Sequence, residues 1–133
     1  MSFSNFAGDL PEECPPADAV DVPEPQLLRL VEKENPTEQD FLSFHDIEGK
    51  VRTNVCKCMS FGVSYFSVNA DKHYIADLTK LPKLKKKRYI ATVNISAQDG
   101  AVQKTDPNKN GHYCFWRKKS FDPLSNISEV KPV

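Results

Sequence analysis

The sequence predicts an α+β fold: one small domain, a mostly antiparallel sheet of four to five strands, and two or three short helices. Three observations carry that expectation. Strand-like runs are broken by short helical patterns without regular alternation, which favours an antiparallel sheet over parallel βαβ units. Within residues 88–95, Tyr89, Ala91, Val93 and Ile95 fall on one side, and Ile90, Thr92 and Asn94 on the other. That period of two, rich in β-branched and aromatic residues, marks a strand with one buried face. A chain of 133 residues, 39% hydrophobic and 27% charged, is long enough for a single core.

In chain order, residues 1–23 read as an acidic, proline-rich arm, 24–119 as the folded domain, and 120–133 as a tail lying on the surface. Helix is expected from Pro25, because proline suits a first turn and Leu27, Leu28, Leu30 and Val31 make one apolar stripe. Thr37 and Asp40 have capping-box spacing ahead of a short helix through Phe41 and Phe44 that ends near Gly49. Residues 51–68 read as two short strands with a bend before Gly62. Asn69 caps a helix over 70–81, packed on one face of the sheet through Ala70, Tyr74, Leu78 and Leu81. Gln98, Asp99 and Gly100 signal a turn into a returning strand, and 112–117 is the last strand.

The formal charge of zero conceals a division. Residues 1–50 hold twelve acids against three bases, a net of −9, and residues 51–133 balance them with +9. Such asymmetry points to association through charge rather than to a particular fold. It makes the chain a binding protein acting through a polarised surface, of the accessory, inhibitor or immunity type, with a protein partner expected. The arm 10–22 is then expected either to cover the basic run or to engage a basic partner. No run of about 18 apolar residues offers a membrane span, and the first residues lack the basic start and apolar centre of a secretory signal. Without such a signal, Cys14, Cys56, Cys58 and Cys114 read as thiols and the location as cytoplasmic.

Candidate binding residues are Lys83, Lys85, Lys86, Lys87 and Arg88, with Tyr113, Trp116 and Arg117 as a second cluster. Basic side chains interleaved with aromatics are what a nucleic-acid surface uses to hold phosphates and stack bases, so RNA or DNA binding is one alternative. An enzyme is the other. His112, Ser64, Arg52 and Thr105, with Tyr65 and Trp116 near them, form a polar and aromatic set suited to a nucleotide or dinucleotide pocket, although no nucleophile elbow or phosphate loop accompanies it. Zinc on Cys56, Cys58, His112 and Cys114 has the right ligand types. Residues two apart in an extended strand lie roughly 6.5 Å apart, whereas sulfurs on one zinc need about 4 Å, so no cofactor is expected.

Overall fold

A computed structural model describes Phe6 and residues 10–53, 56–105 and 111–133. Its strands are β1 (Val20–Asp21), β2 (Gln26–Val31), β3 (Val63–Ser67), β4 (Tyr89–Asn94), β5 (Gly100–Lys104), β6 (His112–Arg117) and β7 (Ile127–Pro132). They form one wholly antiparallel sheet in the order β1-β5-β6-β3-β2-β4-β7. Two helices, α1 (Phe44–Glu48) and α2 (Lys72–Leu78), and three short 3-10 segments complete the described residues. The class is α+β weighted towards sheet, with seven strands in place of the expected four or five. Among the described residues no helix is long and apolar enough to cross a membrane.

The largest correction concerns residues 26–31, expected as helix and found as β2. Leu27 and Val31 join the main core with Tyr65, Val93 and Phe115, while Leu28 and Leu30 pack on the opposite face with Phe66 and Ile75. A strand covered on both faces shows no alternation, and its unbroken apolar run imitates a helical stripe. Arg29 shares the face of Leu27 and Val31. The β2–β3 register runs over Leu27↔Ser67 and Leu28↔Phe66 only. Just beyond it, Arg29 Nη1 donates to the Ser64 carbonyl at 3.0 Å and Nε to the Asp40 carbonyl at 2.8 Å. The guanidinium thus satisfies backbone acceptors where the ladder stops.

β4 has the expected face, with Ala91, Val93 and Ile95 in the main core. It does not form a hairpin with β5, however. Residues 95–99 carry the chain across, and β5 pairs with β1 and β6. Residues 127–132, expected as a surface tail, are instead β7, paired to β4 with a register shift at Thr92/Val93 that breaks the regular alternation of a strand. Of the two strands expected in 51–68 only β3 forms. Lys57–Phe61 is a 3-10 segment, and residues 54 and 55 lie outside the described residues.

The helix expected over 70–81 is α2, shorter and capped by Asp71, whose carboxylate accepts the His73 N–H at 2.8 Å. Ile75 is its buried anchor against Leu30 and Phe66, and Leu81 lies 50% exposed beyond its end. The Thr37–Asp40 signal holds: Asp40 accepts the Thr37 N–H at 2.9 Å and caps a 3-10 turn, Glu38–Phe41. Ser43 then starts α1 separately, and Gly49 closes it in the left-handed region (φ 71°), where glycine costs least.

The arm is anchored over its described length. Cys14 and Cys58 form a disulfide, which corrects the expectation of four thiols. Val20 pairs with Val102, Asp18 accepts from Gln103 at 2.7 Å, and Phe6 bridges to Lys118. Phe6, Cys14, Cys58, Cys114 and Trp116 make a second core cluster under the arm. Gly62 permits this packing, because a Cβ there would overlap the Cys114 sulfur and press on Trp116.

Candidate interaction surface

The loop between α2 and β4 is a chain of tight turns. Leu81 N–H bonds the Leu78 carbonyl at 3.1 Å, Leu84 N–H the Leu81 carbonyl at 2.9 Å, and Lys87 N–H the Leu84 carbonyl at 2.9 Å. Half-buried Leu84 holds the middle, so the lysines around it are presented from an ordered backbone. Lys83, Lys85, Lys86 and Arg88 are exposed and, among the described residues, enter no ion pair. Lys80 pairs with Asp77 at 3.2 Å, and half-buried Lys87 reaches Glu32 at 4.0 Å. Burial, then the charge of Arg29, holds the Lys87 pKa below its usual value.

The arm's contacts lie elsewhere. They run to β5, Lys118 and the 3-10 segment Lys57–Phe61, including an exposed Glu13–Lys57 pair at 3.8 Å. None joins it to the 80–88 loop, so the covering role expected of the arm has no contact to support it among the described residues.

The second cluster of candidates is placed differently. Trp116 is 1% exposed and donates its indole N–H to the Cys58 carbonyl at 2.8 Å. Tyr113 is buried, and its hydroxyl donates to Glu24 at 2.9 Å. Arg117 donates to the Phe121 carbonyl at 2.9 Å. Neither aromatic ring is open to a stacking base. Both were read as surface residues because β6, like β2, is covered on both faces.

Of the enzyme candidates, the fold brings two together. Thr105 Oγ1 and His112 Nδ1 lie 2.5 Å apart, with the His112 ring edge-to-face against Phe66. Ser64 is exposed on β3, and Arg52 sits over the Phe44 ring, 4.6 Å from its centroid. Among the described residues no carboxylate bonds the imidazole, so the orienting member of a nucleophile–base set is not assembled. A cleft of about 180 Å³ is lined by Phe41, Ser43, Asp46, Phe61, Trp116 and Arg117, among others, but not by His112. Dinucleotide-sized ligands occupy pockets of roughly 300–1,000 Å³. The zinc alternative loses Cys58, whose sulfur is bonded to Cys14, and no metal-competent group of three ligands occurs among the described residues.

His112 has a measurable consequence. Burial first, and the Arg29 charge second, lower its pKa from 6.5 to about 4. The depressed value means that the fold resists protonation. Between those two pH values the unfolded chain takes up the proton and the folded chain does not. Stability is therefore complete above the unfolded value, falls as pH drops through the window, and levels below it. For this half-buried ring the loss should approach roughly 2–3 kcal/mol. Urea unfolding at neutral pH and again at about pH 4.5 should show it, and His112→Asn should remove that share. The same pH slope in the variant would assign the loss to other groups.

Comparison of the chain with protein-family models, with curated proteins and with solved structures finds no match.

Proposed function

We propose that the chain is a small binding protein that engages an acidic protein partner through the 80–88 loop. The observation that carries this reading is the set of four exposed, unpaired cations, Lys83, Lys85, Lys86 and Arg88, on an ordered loop whose backbone is already hydrogen-bonded. Cations left without internal partners raise association rates and select partners of opposite charge. A turn-rich loop also loses little entropy on binding. An acidic protein fits better than a nucleic acid, because the aromatic rings that would stack bases are occupied in the core. The cytoplasmic expectation went together with reading all four cysteines as thiols. A buried disulfide is instead what oxidising surroundings maintain, so location no longer follows from the cysteines.

The test is binding of a labelled polyglutamate peptide, followed by anisotropy at low salt. Exposed charge pairs contribute about 0.2–1 kcal/mol each, so Lys83, Lys85 and Lys86→Glu together should weaken binding roughly tenfold or more. Equal affinity of the triple variant would remove the loop from the interface. Tighter binding of duplex DNA or RNA, with a steep salt dependence, would favour the nucleic-acid alternative.

A further inference from the structure

The four cysteines lie around one disulfide, and their exposures differ sharply. Cys14 is 0% and Cys58 3% exposed, so a reductant in solution has no direct path to either sulfur. Cys56 is an exposed thiol two positions before Cys58, with Lys57 between them. It is not extended away from it: Cys56 is the N-cap of the 3-10 segment Lys57–Phe61, and its carbonyl accepts the Met59 N–H at 3.0 Å. In such a turn, Cα atoms two apart fall within the roughly 4.4–6.8 Å span that disulfides bridge. Cys114 completes the group from beneath, in the same apolar cluster as the disulfide, with its sulfur 3.9 Å from the Met59 carbonyl. Burial, then nearby Cys56, pushes the Cys114 pKa up to about 12, so it stays protonated and inert at neutral pH.

We propose that Cys56 is the relay through which reducing equivalents reach the buried Cys14–Cys58 bond, making the arm's attachment redox-controlled. The Cys56 thiolate attacks Cys58 Sγ. A Cys56–Cys58 bond forms, the Cys14–Cys58 bond breaks, and the electron pair leaves on Cys14 Sγ, which takes a proton from water. An external dithiol, of the dithiothreitol or thioredoxin-like class, then reduces the exposed Cys56–Cys58 bond, passing two electrons and two protons and leaving as its own disulfide. The net change is one dithiol oxidised, and Cys14 and Cys58 returned as thiols. What then holds the arm is non-covalent: the two-residue strand Val20–Asp21, the Phe6–Lys118 bridge, the packing of Phe6 and Val22, the exposed Asp18–Gln103 bond and a solvent-exposed Glu13–Lys57 pair. Its departure would uncover Trp116 and Ala101.

Trp116 is the single tryptophan and reports the event directly. On adding dithiothreitol to the intact protein, its emission should shift to the red as the arm leaves. Cys56→Ser should slow that shift roughly tenfold or more, to the same final amplitude, and Cys114→Ser should leave the rate unchanged. Quenching early with iodoacetamide should label Cys14 ahead of Cys58 in the wild type. Equal rates in Cys56→Ser and the wild type, or early labelling of Cys58 ahead of Cys14, would overturn the relay. Reduction confirmed by mass with no change in Trp116 emission would overturn the release of the arm.

Discussion

Cys58→Ser should lower the stability of the oxidised protein by about 4 kcal/mol, the chain-entropy value for a loop of this length. The two half-cystines are 44 residues apart, so the bond removes much freedom from the unfolded chain. It also joins the arm to the 3-10 segment that carries the acceptor for the Trp116 indole. Cys14→Ser should match it, and the double variant should cost no more than either single one, because one bond is lost in all three cases. Denaturant unfolding under non-reducing conditions measures this. A loss below about 1 kcal/mol in both single variants would show that the bond is not part of the stable fold. At 3% exposure and cross-linked, Cys58 does not tolerate the loss of its sulfur.

Trp116→Ala should cost about 3–5 kcal/mol, the range for deleting a buried aromatic side chain. Trp116 is among the largest fully buried side chains, packed with Phe6, Cys14, Cys58 and Cys114. Truncation opens a cavity under the arm and leaves the Cys58 carbonyl without its donor. Trp116→Phe separates the two effects. It keeps most of the volume and forfeits the hydrogen bond, so it should cost about 1–3 kcal/mol. Circular dichroism must follow both, since the fluorophore is gone. A cost near zero for Trp116→Ala would return this residue to the exposed stacking surface first expected of it.

What could be read from the sequence depended on how many faces of an element are buried. In β4 the core-facing residues Ala91 and Val93 alternate with less buried Ile90 and Thr92, and the pattern located the strand to within a residue. β2 and β6 are covered on both sides, so the run Leu27 to Val31 imitates a helical stripe and Trp116 carries no alternation that marks it as buried. β7 escaped notice because its register shift breaks the alternation. The order β1-β5-β6-β3-β2-β4-β7 depends on long-range pairing to which local turn chemistry is blind. Among the candidate residues, Lys83, Lys85 and Lys86 are exposed, since a run of like charge has nowhere else to go. The Cys14–Cys58 pairing left no signal, because spacing alone does not say which cysteines meet.

The most direct measurement of the binding account is an amide chemical-shift titration of the intact, oxidised protein with polyglutamate. The predicted result is a saturable set of shifts confined to residues 80–88 and their immediate neighbours, abolished by Lys83, Lys85 and Lys86→Glu. Shifts centred instead on residues 112–117, or on the arm, with the 80–88 loop silent, would contradict it.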